Sequence, residues 1–298
     1  MTGRALALAA ALAAALALLR PSCGDRAPSA RPASASAPAL ASAPAAGAAA
    51  AAAAAAAPGP APVAGDWIET LALPDNGLAY VTPATGATTR RPVIVAIHGA
   101  VDDPGLMCGA WRLIADVYPF VVCPAGTPIG ADAPGRKYVW SGTEQIEKRA
   151  LEAVAALAAR YPEHVDRDAP VVYAAFSQGA TMAAPFLVRH AKQFPRAVLT
   201  EGGHHAFEPA GLAAAYAKAG GERVLFTCSQ GGGCAGYFET SRAALANAHV
   251  EARVVFSGVH GHSMPPPVRE SVHDALPWVV AGLAGWQDYA TAVKLPSH

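Results

Sequence analysis

The residues with the most chemical content lie between Val171 and Ala180. An apolar run, Val171-Val172-Tyr173-Ala174-Ala175-Phe176, delivers Ser177 and passes through Gln178-Gly179-Ala180 into an alanine-rich helical pattern. A serine on a sharp strand-to-helix turn is forced into strained dihedrals and presents its hydroxyl outward, provided the residues two before and two after it are small. Ala175 and Gly179 meet that condition. A hydroxyl is a weak nucleophile until a base takes its proton, and the oxyanion made by its attack needs hydrogen-bond donors. The chemistry to look for is therefore acyl transfer to Ser177.

Candidates for the supporting groups can be read off the chain. His98-Gly99-Ala100 ends an earlier apolar strand, so the backbone N–H groups of Ala100 and of Gln178, the residue after the serine, are the expected oxyanion donors. His98 itself is read as a hydrogen-bonded structural residue that shapes the loop. The base should come late in the chain, where Ser257-Gly258-Val259-His260-Gly261-His262-Ser263-Met264 offers two histidines. His262 is preferred because it follows Gly261 and precedes the turn at Pro265, with His260 as the rival. His204 and His205 are read as solvated loop residues, since no further metal ligands stand near them. Trp140 is a core or surface aromatic, or else lines a pocket.

These residues require a scaffold, and the chain supplies one. β-branched runs at 67–73, 78–81, 92–97, 120–123, 171–176, 197–200, 224–227 and 252–256 read as strands. The first two flank Pro74-Asp75-Asn76-Gly77 and form an antiparallel hairpin. Helical spacing appears at 106–118, after Ser177, at 210–219 and 240–248, and after Pro267. It is clearest where Ile146, Ala150, Val154, Leu157 and Tyr161 make one apolar face. This alternation predicts an α/β fold, a mostly parallel eight-stranded sheet with helices on both faces. The segment between Glu201 and Arg223 is too short for a large lid, which leaves the serine open to solvent and favours soluble or polymer-end esters over long buried acyl chains.

Phe176-Ser177-Gln178-Gly179, with His98-Gly99 and Gly261-His262-Ser263, resembles the carboxylesterase, phospholipase and acyl-thioesterase branch of the α/β-hydrolases. It is also similar to secreted polyhydroxyalkanoate-depolymerase-like and feruloyl-esterase-like proteins. The resemblance spans nearly all of 67–286. It implies a Ser, acid, His triad in that chain order, and hydrolysis of carboxylic esters or thioesters with neither cofactor nor metal. The family usually carries its Asp in the loop after the strand at 224–227, yet that loop reads Cys228-Ser229-Gln230-Gly231-Gly232-Gly233-Cys234 and contains no acid. Glu201, at the end of the preceding strand, is the expected substitute, because some lipases of this fold carry their acid there. Glu239 is the next candidate. The missing Asp also leaves open a hydrolase-fold binding protein without turnover.

Composition sets the wider frame. Lys plus Arg and Asp plus Glu both number 22, so no net field exists to gather nucleic acid or anionic lipid, and the expected partner is a small-molecule or polymer-end ester. Arg4 and the apolar run at 5–19 match a secretory signal, assigned to 1–22. Cys23 raises lipid anchorage of the bacterial lipoprotein kind, against which Arg20 stands where that signal wants an aliphatic residue. Soluble export is the other reading. Residues 23–65, rich in Ala, Pro and Ser, cannot bury enough apolar surface to fold and read as a disordered linker, leaving 66–298 as the hydrolase domain. Beyond Cys23 the four cysteines make an even number in a chain read as exported. Three pairings are open, of which Cys108 with Cys123 and Cys228 with Cys234 is favoured because each pair closes a local loop. A zinc site lacks a C-x-x-C pair.

Overall fold

The computed structural model describes residues 59–291 except 132–134, 210 and 232. The signal-like segment, Cys23 and the linker up to residue 58 lie outside the described residues. Among the described residues there are ten strands: β1 (Glu69–Leu73), β2 (Gly77–Thr82), β3 (Val93–Ile97), β4 (Phe120–Pro124), β5 (Thr127–Ile129), β6 (Lys137–Val139), β7 (Val172–Phe176), β8 (Arg196–Thr200), β9 (Arg223–Cys228) and β10 (Glu251–Phe256). Eight of them form one sheet in the order β1-β2-β4-β3-β7-β8-β9-β10. β2 pairs antiparallel with β1 and β4, and the remaining pairs are parallel.

The eight strands read from sequence are these eight, with ends shifted by one or two residues. The β5–β6 hairpin was not foreseen, because three-residue strands containing Pro128 carry no periodic signal. The packed region also begins earlier than residue 66. Val63 is buried, its N–H donates to Ala87 O at 2.9 Å, and its carbonyl accepts from Gly86 N–H at 2.8 Å.

The parallel strands are buried on both faces, and successive side chains serve opposite layers. Val93, Val95 and Ile97 join a core with α2 (Thr143–Arg160), α4 (Ala183–Arg189), α5 (Leu212–Ala219) and α7 (Glu239–Asn247). Ile94 and Ala96 face a second core built with α1 (Pro104–Ala115) and α8 (Pro266–Val280), where Trp111 and Ile114 are buried. Fully burying one such aliphatic side chain contributes roughly 1.5–3 kcal/mol. Asp103 caps α1 by accepting from Gly105 N–H at 2.8 Å, and Pro104 begins the helix. Disulfides join Cys108 in α1 to Cys123 in β4, and Cys228 at the end of β9 to Cys234 in α6 (Cys234–Tyr237). Among the described residues no helix is long and apolar enough to cross a membrane.

From β3 the chain runs outward to β4 on one side, and later resumes at β7 on the other. Strand order reverses between β3 and β7, and the crevice at the carboxyl ends of such strands is where open α/β sheets bind ligands. Ala100 follows β3 and Ser177 follows β7.

Candidate active site

Ser177 stands between β7 and α3 (Gln178–Thr181) with φ 50° and ψ −112°, left-handed space that a non-glycine residue enters only under constraint. The constraints are visible. Ser177 N–H donates to Thr200 O at 2.9 Å, and its carbonyl accepts from Thr181 N–H at 2.9 Å. A Cβ on Gly179 would come within 2.6 Å of Ile97 Cγ2 and 2.9 Å of His98 O, so only glycine lets α3 approach β3 this closely. Ala175 is buried and tolerated.

His262 Nε2 lies 2.7 Å from Ser177 Oγ. Its ring packs on Phe176 with centroids 5.1 Å apart. The His262 side chain is 46% exposed, and Ser177 is half-buried. His260 is placed differently: its ring folds over Gly258, and its N–H donates to Ser229 O at 2.7 Å. Glu201 also has a positive φ, 55°, and its carboxylate is fully buried. One of its oxygens, Oε2, lies 4.0 Å from His262 Nδ1. The same oxygen accepts from Gln230 Nε2 at 2.9 Å, while Oε1 accepts from Ser229 Oγ at 2.7 Å. Glu239 instead pairs with Arg242 on the exposed face of α7. Of the two acids considered, it is Glu201 that the fold brings to the histidine.

The expected oxyanion donors occupy the two loops that meet at the switch point. Gln178 is the first residue of α3, where backbone N–H groups have no partner within the helix. Ala100 sits in the turn after β3. Three interactions tie these loops together. Gln178 Oε1 accepts from Trp140 N–H at 3.0 Å and Gln178 Nε2 donates to Trp140 O at 2.9 Å, while the indole N–H of Trp140 donates to His98 O at 3.0 Å. His98 is buried and stacks on Trp140 with centroids 4.6 Å apart. Gly126 N–H donates to His98 Nε2 at 3.1 Å, so the ring proton belongs on Nδ1, which donates to Gly99 O at 2.6 Å. Burial holds the imidazole below its usual pKa, outweighing the Gly99 bond and the charges of Asp102 and Asp103. His98 is thus a neutral brace.

Solved structures share this arrangement of elements. A Thermus thermophilus protein superposes with a TM-score of 0.53 over 72% of this chain and 98% of its own, at 14% identity. An S-formylglutathione hydrolase from Agrobacterium tumefaciens superposes with a TM-score of 0.51 over 73% of this chain and 95% of its own, also at 14% identity. The chain has the α/β-hydrolase fold. No family model and no curated relative matches the sequence.

Two features of this fold escaped the sequence reading. The loop after β9, which lacks an acid, supplies Ser229 and Gln230 as donors that hold Glu201, and Ser229 Oγ also lies 2.8 Å from Gly261 O, one residue before His262. No local pattern marks a serine for that task. The second is the Trp140 clamp, foreseen as an aromatic but not as the link between the two loops. Among the described residues the short segment after Glu201 forms no large lid: α5 packs inward, with Tyr216 buried and its hydroxyl donating to Phe194 O at 3.1 Å. Among the described residues no group of histidine, cysteine and acidic side chains is arranged to hold a metal. His204 and His205 meet edge to face, and His205 pairs with Glu208.

Proposed function

We propose that this protein is a serine hydrolase that cleaves carboxylic esters or thioesters through an acyl-enzyme. The observation that carries this reading is the 2.7 Å approach of His262 Nε2 to Ser177 Oγ on a turn with positive φ. His262 takes the hydroxyl proton as Ser177 Oγ bonds to the substrate carbonyl carbon. The N–H groups of Ala100 and Gln178 hold the oxyanion. The tetrahedral adduct then collapses, the bond to the alcohol or thiol breaks, and His262 returns the proton to that leaving group. Water, deprotonated by His262, releases the acid by the same steps. Glu201 orients the imidazole and stabilises its charged form. Export belongs to the same proposal: the disulfides are compatible with an oxidising compartment, and the intact mass of the mature protein would read both signal cleavage and any lipid on Cys23.

A fluorophosphonate probe, which phosphonylates activated serines with loss of fluoride, tests the reading. It should label Ser177, and Ser177→Ala should lose both the label and nearly all ester hydrolysis while unfolding at the wild-type denaturant concentration. Hydrolysis that survives in Ser177→Ala would falsify the assignment. The 4.0 Å gap between His262 Nδ1 and Glu201 is longer than a hydrogen bond and favours a second reading, a binding protein on a hydrolase scaffold. That reading predicts no labelling of the wild-type chain.

A further inference from the structure

Gly109 occupies the interior of α1, where glycine costs roughly 0.5–1 kcal/mol relative to alanine. Its φ lies outside the left-handed region, and a Cβ built on it would meet only Ile68 Cδ1 at 3.6 Å and Trp67 Nε1 at 3.9 Å, ordinary van der Waals contacts. Neither backbone geometry nor close packing demands it. What the missing side chain leaves is space in a groove of about 560 Å³ that reaches His262.

The groove runs between α1 and the histidine loop, and Trp67, Ile68, Leu106, Leu113, Phe176 and Met264 give it an apolar lining. Its size falls in the range of small-molecule sites. Leu106 is 67% exposed and Trp67 47% exposed at its rim, large apolar surfaces that mark a binding groove when they gather beside a polar centre. Its two charged residues are engaged with backbone. Asp102 accepts from Gly99 N–H at 3.2 Å and Asp103 N–H at 2.8 Å, and Arg269 donates to Met264 O at 2.8 Å.

We propose that this groove takes an uncharged apolar chain of the scissile ester, and that the substrates are esters of medium-length aliphatic or aromatic groups. The inference rests on Ser177 being the nucleophile. The chain can belong to the acyl or to the alcohol half, and two series separate these: p-nitrophenyl esters from acetate to decanoate, and acetate esters of alcohols from ethanol to octanol. One series should climb in kcat/KM by about two- to fourfold per methylene until the groove is full, since a buried methylene is worth up to roughly 0.8 kcal/mol, while the other stays nearly flat. The climbing series names the half that enters.

Gly109→Leu fills the groove with a residue suited to a helix, and should cut the climb to less than about 1.5-fold per methylene. Circular dichroism and thermal unfolding check that the variant folds, and Trp67→Ala, which removes a wall at the exposed rim, should weaken the same preference if it does not. Two flat series in a wild-type enzyme that hydrolyses acetates and labels at Ser177 would overturn the groove alone, as would a climb that survives both substitutions. An enzyme that neither labels nor turns over any ester overturns the nucleophile assignment, and the groove inference falls with it.

Discussion

Glu201 carries a buried carboxylate whose oxygens are taken by Ser229 and Gln230, with His262 one step further away. A buried charge is tolerated only when its lone pairs are satisfied, and here a serine and a glutamine do that from the loop that lacks an acid of its own. The Ser229 hydroxyl has one proton and two acceptors within 2.8 Å, Glu201 Oε1 and Gly261 O, so it links the acid to the histidine loop. Glu201→Gln should fold and lower kcat by up to about ten-thousand-fold, through loss of the charge that fixes the tautomer and stabilises the imidazolium. Glu239→Gln should stay within roughly threefold of wild type, and steady-state kinetics on one ester compares the two. Ser229→Ala strips a donor from a buried carboxylate, at a cost of about 1–3 kcal/mol in urea unfolding. Its kcat should drop by about tenfold for each 1.36 kcal/mol of that cost felt only in the transition state.

At the scale of the elements, the site depends on how closely three strand ends approach. β7 delivers Ser177, β3 delivers the loop with Ala100, and β8 delivers Glu201. Gly202, two residues past the end of β8, is the matching device, since a Cβ there would collide with the Ser177 carbonyl oxygen. Gly179→Ala tests this spacing. Its methyl meets Ile97 and His98 below normal contact distance, and overpacking of that kind typically costs about 1–3 kcal/mol. The urea midpoint should fall, and fluorophosphonate labelling of Ser177 should slow because α3 must move. Wild-type labelling with an unchanged midpoint would show that the strands have slack.

For the molecule as a whole, the brace at His98 couples stability to pH. Burial lowers its folded pKa, so the unfolded chain binds the proton more readily. The contribution is fully present above the ordinary imidazole value of about pH 6.5 and is lost as pH falls toward the folded value. Urea unfolding between pH 8 and pH 5 should therefore show stability declining on the acid side, with a shallower decline in His98→Gln. The disulfides act at the same scale, by restricting the unfolded chain. Non-reducing peptide mass spectrometry of the native protein should find Cys108 with Cys123 and Cys228 with Cys234, and reduction should lower the thermal midpoint.

The eight strands, the helices between them and the serine turn were legible in the sequence because they depend on local periodicity and on residue size at fixed offsets. Ala175 and Gly179 flank Ser177 within one short window, and the strand runs are apolar enough to be seen without their partners. The two cystine pairings were legible for the same reason, since each closes a short loop. Contacts between loops far apart in the chain were not legible. That Glu201 comes within 4.0 Å of His262, 61 positions later, while Glu239 pairs with Arg242 instead, follows from β8 lying beside β7 in the sheet. Only tertiary structure could turn the acid-free loop at Ser229 and Gln230 into the support for Glu201, make Trp140 the tie between two loops, and open a groove at Gly109. Each of these depends on side chains separated by tens of residues in sequence, and their distances are set by how the sheet and helices pack.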